Sequence, residues 1–268
     1  MDRPANADAA DVLTAVLEDP PANAPADFPK DGVLMSYTFQ FGVLAQYQEQ
    51  IFSGIWLTIK LSVLSIILGC AAGIALASVR SIWGGVVCLL VDAYVEIIRN
   101  TPFLVQLFIV YFGLPGLGLR VGADTAALIG MTINLAAYST EIIRAGIEAI
   151  HKSQIEAGES LGLTRYQIYR HVIIVPAIAK VYPALCSQFV LMMLASSICS
   201  AISTQELAAS AAFIESQTYR SFEIYIAVTL IYLALALALR AALALIGMRL
   251  FGRRVARRAM TALPEVQA

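Results

Sequence analysis

Charge is scarce in this sequence. Asp, Glu, Lys and Arg make up 14% of its 268 residues, against roughly a quarter in soluble domains, while 59% are apolar. That balance, with a mean hydropathy of +0.75, excludes an ordinary water-soluble domain. Histidine is reduced to two residues, His151 and His171, too isolated to act as ligands, and four cysteines (Cys70, Cys88, Cys186, Cys199) sit singly inside apolar runs. A zinc site built from ligand pairs and a disulfide framework are therefore excluded, and the thiols read as buried. The Gly-x-x-x-x-Gly-Lys-Ser/Thr phosphate loop is missing, so the chain does not hydrolyse ATP in the P-loop manner; a hydrolytic triad and an internal repeat are missing too. The first thirty-six residues lack the basic start and apolar centre of a signal peptide, which leaves the first apolar run as the insertion signal.

Long apolar runs are what the sequence has in abundance. A hydrocarbon core of about 30 Å takes about 20 helical residues. Five runs reach that length: Ile55–Val79, Val86–Leu114, Ala123–Ile143, Tyr182–Ile202 and Phe222–Met248. Lipid offers backbone groups no partner, so the runs are expected to be helices, and the chain an all-α integral membrane protein with five transmembrane helices. With the N-terminus outside, most Lys and Arg residues fall on inner segments, among them Arg80, Arg144, Lys152 and Arg165, whereas the outer ones hold four, Arg3, Lys30, Arg120 and Arg220. The excess predicts an N-out, C-in topology. Residues 1–36, with seven acidic residues against two basic and five prolines, read as a disordered tail in which DAADVLTAVLED can form a turn or two of helix on a partner. Residues 37–252 form the membrane domain, with a cytoplasmic loop at 150–176, and 253–268 a basic cytoplasmic tail.

That loop is organised. Ser153-Gln-Ile-Glu156 fits a capping box, Gly162 falls where a left-handed residue ends the helix, and Thr164-Arg-Tyr-Gln167 repeats the box for a second short helix toward Pro176. Two uses stay open: a knob presented to a cytoplasmic partner, or a well-capped connection.

Polar residues inside the runs need a reason, because a charge at membrane depth costs about 2.5–3.5 kcal/mol on insertion scales. Asp92, Glu96 and Arg99 share one helix face, with Arg99 placed to pair with Glu96. Thr101-Pro102 reads as an N-cap and first-turn proline that break the second run into an inner amphipathic and an outer apolar part. The break either offers free N–H groups to an anion or belongs to an interfacial helix whose polar face meets cytoplasmic water. Asn134, Tyr138 and Glu141 repeat the spacing and either line a solute path or bond between helices. Ser196, Ser197 and Ser200 serve close helix packing or solute contact. Lys60 is expected to snorkel to the outer interface and Arg240 to pair with a neighbour.

Glu156-Ala157-Gly158, three residues and then Gly162 resemble the EAA motif of the membrane subunits of binding-protein-dependent ATP-binding-cassette (ABC) importers. RNTPFLVQLFIVYFGLP (99–115) and AYSTEIIRAGIEAIHKSQIEAGESLGL (137–163) resemble the polar amino acid permeases, the branch with histidine, glutamine and arginine importers, and the similarity runs from about Tyr37 to the end of the last span. The resemblance implies a type I importer permease fold in the bacterial inner membrane. It implies pairing with a second permease subunit to form the path by alternating access, and an external solute-binding protein. Glu156, Ala157, Gly158, Gly162 and Thr164 would dock on a cytoplasmic ATPase dimer that uses ATP and magnesium. The chain itself would bind no cofactor and no nucleic acid, and would meet membrane lipid. Arg99, Thr101, Asn134, Tyr138, Glu141, Ser196 and Ser197 are the candidates for the path. An ion-coupled secondary amino acid transporter and a non-transporting scaffold are the alternatives.

Three departures from the family pattern matter. Gly158 stands where the family usually has Ala, which loosens the first loop helix by up to about 1 kcal/mol. The family's loop proline falls on Val175, one before Pro176. Leu194-Ala195-Ser196-Ser197-Ile198 replaces a frequent Lys-Asp-Thr-Ser-Leu, which implies a heteromeric pair whose other subunit supplies the charges.

Overall fold

The apolar runs fold into helices in the computed structural model, which describes residues 39–251; the acidic stretch 1–36 and the basic tail 253–268, with the expectations placed on them, lie outside the described residues. The chain divides between Gln40 and Phe41, and all the described helices belong to the second unit. The α-helices are α1 (Val43–Gln46), α2 (Gln48–Ile82), α3 (Val86–Arg99), α4 (Phe103–Gly116), α5 (Ala123–Glu148), α6 (Lys152–Ser160), α7 (Arg165–Gln167), α8 (Val175–Ala195), α9 (Leu207–Thr218) and α10 (Ser221–Phe251). A π-helix, Ile168–Ile174, joins α7 to α8, and a 3-10 helix, Ser196–Ile202, follows α8.

Four helical stretches are long and apolar enough to cross a membrane: α2, α5, Arg165–Ile202 and α10. The second run breaks at Thr101-Pro102, where the sequence placed the break, and α3 and α4 meet there at a bend of 107°. At 14 residues each they are about 21 Å long, too short to cross alone. The packing shows what the bent pair does. Gly69 lies against Leu135, Gly73 against Ser139 and Arg80 near Glu148, so α2 and α5 run parallel. Two parallel neighbours require the intervening chain to return across the layer, and α3 with α4 makes that return. Counting the pair once gives the five crossings expected.

The loop connection differs from expectation. The second loop helix does not stop near Pro176 but continues into the fourth span, which is helical from Arg165 rather than from Tyr182. Pro176 has no N–H for the carbonyl four residues back; the wider π-turns just before it absorb that missing donor without ending the helix.

α5 is the central helix: 61% of its most apolar window is buried, against 28% for α2 and 17% for α10. Its contacts with α2 are close because a Cβ on Gly73 would stand 2.5 Å from Ser139 Cβ and 3.1 Å from the Thr140 nitrogen. Tyr182 of α8 donates its hydroxyl to the Leu243 carbonyl of α10 at 2.6 Å and fills the space beside Gly247. The thiols are free; Cys186 and Cys199 are buried as expected, Cys70 and Cys88 only partly. Lys60 is exposed, whereas Arg240 makes no ion pair among the described residues, contrary to the neighbour expected for it.

Candidate functional site

Two regions carry the polar residues: a hollow beside α3 and the α6–α8 loop. The hollow, about 660 Å³ and open on one side, is lined by α2, α3 and α5. α3 buries Val91 and Val95, and Tyr94 donates its hydroxyl to the Ile133 carbonyl at 2.6 Å, which fixes the helix on α5. Asp92, Glu96 and Arg99 therefore all turn to the hollow, and Val86, Leu89, Leu90 and Ile97 stay exposed.

The charges are wired across helices. Arg80 of α2 holds Asp92 through a two-point ion pair, Nη2 to Oδ2 at 3.2 Å. Arg144 of α5 forks onto Glu141, Nε to Oε2 at 2.8 Å, and also reaches Glu148 at 2.6 Å. Arg99 does not pair with Glu96 as its spacing suggested. It lies over the Tyr138 ring, 5.5 Å from the centroid, and 3.8 Å from Glu141 Oε1. Arg99, Tyr138 and Glu141, predicted from two different runs, thus meet in one place.

The other path candidates lie elsewhere. Thr101 is not an N-cap: Pro102 holds that position, and the Thr101 hydroxyl donates back to the Ile97 carbonyl at 2.8 Å. Gln106, which the spacing argument missed, closes the corner. Its Nε2 donates to the carbonyls of Ile98 and Thr101 at 2.7 and 3.0 Å, and its Oε1 accepts from Asn134 Nδ2 at 2.8 Å. Asn134 is 6% exposed, so in this chain it makes the interhelical bond rather than facing an open path. Ser196 and Ser197 donate to carbonyls of their own helix, Met193 and Leu194, at 2.7 and 2.8 Å. Glu206, also missed, is fully buried; it caps α9 through the Ala209 N–H at 2.9 Å and accepts the Tyr232 hydroxyl at 2.6 Å.

In the loop, α6 starts two residues earlier than the Ser153 box proposed. His151 is the N-cap, its ring accepting from the Ser153 N–H at 3.3 Å, which leaves Glu156 beyond the first turn with no capping role. Glu156 and Ala157 are exposed, and Gly158 is buried under Ile168. Gly162 has φ +73°, and the Leu163 N–H to Gly158 carbonyl and Gly162 N–H to Glu159 carbonyl bonds, 3.1 and 2.9 Å, make the two-bond glycine stop. Thr164 and Gln167 form the reciprocal box as expected. Leu161 and Tyr166, 79% and 68% exposed, stand out on this knob.

The arrangement has a counterpart among known proteins. The family described as "Binding-protein-dependent transport system inner membrane component" matches residues 65–257. The chain belongs to this family. It is a membrane-spanning permease subunit of an ABC importer in the bacterial inner membrane and is not an enzyme; an ATPase and a solute-binding protein are the partners the family implies. The Bacillus subtilis (strain 168) "Probable glutamine ABC transporter permease protein GlnM" is 36% identical over 205 residues, covering 76% of this chain and 93% of that one. "Probable amino-acid ABC transporter permease protein PatM" of Vibrio harveyi is 34% identical, covering 72% and 88%. Among solved structures, "Crystal structure of an amino acid ABC transporter with histidines" aligns with a TM-score of 0.71 at 38% identity, over 80% of this permease and all of that chain. The MetNI methionine ABC transporter in an inward-facing form shares the fold, with a TM-score of 0.62 at 20% identity over 79% of this chain and 97% of that one. Among the described residues of the permease, no three His, Cys, Asp or Glu gather to hold a metal.

Proposed function

We propose that this permease forms half of the path through which a polar amino acid or related zwitterion is imported, opposite a second, non-identical permease subunit. A cytoplasmic ATPase dimer using ATP and magnesium docks on the loop at Glu156, Ala157, Gly158, Gly162 and Thr164, and its closure turns the path from outward to inward access. The single observation that carries the coupling is the knob itself: a short helix stopped by Gly162, with an exposed Glu156 carboxylate that has no partner among the described residues, beside exposed Leu161 and Tyr166. Isolated helices this short are marginal in water. α6 packs on the π-helix through Gly158, which lies against Ile168, and a partner groove covers its exposed face, where Glu156 and Ala157 stand. The amino acid class rests on the relatives' names, glutamine among them. N-out, C-in orientation places the knob on the ATPase side.

Co-expression with the ATPase encoded beside this chain, followed by purification from detergent, tests the coupling. The wild type is expected to retain the ATPase and Gly162→Arg to lose it while still folding. Failure of the wild type to retain it alongside candidate partner subunits would instead favour a secondary transporter or a scaffold.

A further inference from the structure

The hollow beside α3 carries more charge than its own ion pairs consume. Of its three cations, Arg80 is committed to Asp92, and Arg144 to Glu141 and Glu148. Arg99 is not committed. Its nearest carboxylate oxygen, on Glu141, is 3.8 Å away and already forked by Arg144, so Arg99 keeps N–H donors to spare, with its guanidinium carbon 5.5 Å from the Tyr138 ring centroid. Of the three carboxylates, Glu96 alone makes no ion pair or hydrogen bond among the described residues, and it is exposed into the same space. Glu96 and Arg99 lie three positions apart on one helix, about 5–6 Å between Cβ atoms, close enough for a single small molecule to touch both.

An uncommitted cation and an uncommitted anion in an otherwise neutralised lining match a solute that carries both charges. We propose that this hollow receives the zwitterionic head of the transported amino acid, its α-carboxylate forked by Arg99 and its α-ammonium on Glu96, with Asn100 at the rim. The inference rests on the amino acid permease reading above. The volume of about 660 Å³ suits a small-molecule site. A guanidinium offers a carboxylate two parallel bonds, which a point charge does not. The net-neutral lining selects the head group and leaves the side chain unread. The site also offers, near the loop end of the bundle, the opposed charges that this chain lacks at Leu194 and Ala195, where the family pattern often has Lys-Asp.

The test is equilibrium binding to the purified permease–ATPase complex in lipid nanodiscs without solute-binding protein. Three probes are compared: L-glutamine, N-acetyl-L-glutamine without the ammonium, and L-glutamine α-amide without the carboxylate. The wild type is expected to prefer L-glutamine over both analogues by about tenfold or more, the worth of a hydrogen bond to a charged group. Glu96→Gln should erase the preference against the acetylated probe only, and Arg99→Gln the preference against the amide only. If Arg99→Gln does not assemble, Arg99→Lys decides: it keeps the charge but loses the fork and should lose most of the discrimination against the amide. Glu96 is exposed and unpaired, so its variant tests the site without disturbing the fold. Unchanged discrimination in the Glu96 and Arg99 variants overturns the proposal, as does a wild type that binds none of the probes while its ATPase still responds to binding protein, in which case the permease reading stands. A wild type that neither holds an ATPase nor binds a probe overturns both.

Discussion

One side-chain amide decides whether the corner between α3 and α4 is a hinge or a fixed bend. Gln106 satisfies two carbonyls at the end of α3 and holds Asn134 of the central helix, all with distances of 2.7 to 3.0 Å. Gln106→Leu keeps the volume and leaves those groups without partners. A buried unsatisfied group costs about 1–3 kcal/mol, so a drop of several degrees in the thermal midpoint of the detergent-purified protein is expected, with Gln106→Glu, which keeps the acceptor for Asn134, between the two. A second residue-scale prediction concerns Glu215 in α9, which accepts the Ser221 and Tyr225 hydroxyls at 2.5 and 2.7 Å; these bonds hold its carboxyl below the ordinary 4.5. A depressed carboxylate stabilises the fold above its unfolded value and loses that contribution as pH falls through the folded one. Tyr225→Phe should therefore lower the thermal midpoint slightly at neutral pH, flatten its fall below pH 4.5 and converge with the wild type in acid, as measured by thermal unfolding across pH. The charged face of α3 was legible from the spacing of Asp92, Glu96 and Arg99, because helix periodicity fixes which residues share a face. Gln106 was visible as a polar residue in an apolar run, but its partner Asn134 is 28 residues away and no local pattern joins them.

At the scale of elements, helix contacts here depend on small residues, since lipid provides no hydrophobic drive to press helices together. Gly69 and Gly73 let α2 settle into α5, and at Gly73 the obstacles include backbone, which cannot yield. Gly73→Val is expected to cost about 1–3 kcal/mol and to lower the yield of folded protein, whereas Gly113→Val on α4, with nothing within 4 Å of its Cβ, should pass unnoticed in the same thermal assay. The loop glycines separate in the same way. Gly162→Ala meets no atom but is strained by about 1–2 kcal/mol at φ +73°, while Gly158→Ala gains helix propensity against a 3.2 Å approach to Ile168 Cγ1. Knob order, followed by amide exchange of α6, should fall for Gly162→Ala and hold for Gly158→Ala. Run length located the spans, yet not their ends, because helices continue past the lipid into polar sequence: the helical stretch that contains α8 begins at Arg165 because π-turns accommodate Pro176, which the sequence pattern marked as a stop. His151 was overlooked as a cap because its ring is an uncommon N-cap, although its Nδ1 presents an acceptor to the Ser153 N–H as a serine or aspartate oxygen would.

At the scale of the molecule, the parallel pair α2 and α5 requires one return crossing between them, made by α3 with α4, and sets the knob at one end of the bundle and α9 at the other. α9 packs against the start of α2, where a Cβ on Gly54 would touch Leu207 and Ser210. Ile168 under Gly158 begins a continuous helical stretch that runs through α8 to Ser196–Ile202, so in the proposed coupling this stretch would link the knob to the far end of the bundle. That element arrives at Leu194-Ala195, where this chain presents an apolar, partly exposed surface instead of the Lys-Asp pair of its family's pattern. Two identical copies would bring two uncharged surfaces together there, whereas a different subunit with the pair would supply the missing charges at that end. The chain is therefore expected to assemble as a heteromer. Native mass measurement of the complex after co-expression with a second permease subunit and the ATPase should give one copy of each permease on an ATPase dimer. A complex with two copies of this chain and active, binding-protein-stimulated transport would show that Leu194 and Ala195 need no charged counterpart, and that both solute charges are met within each copy.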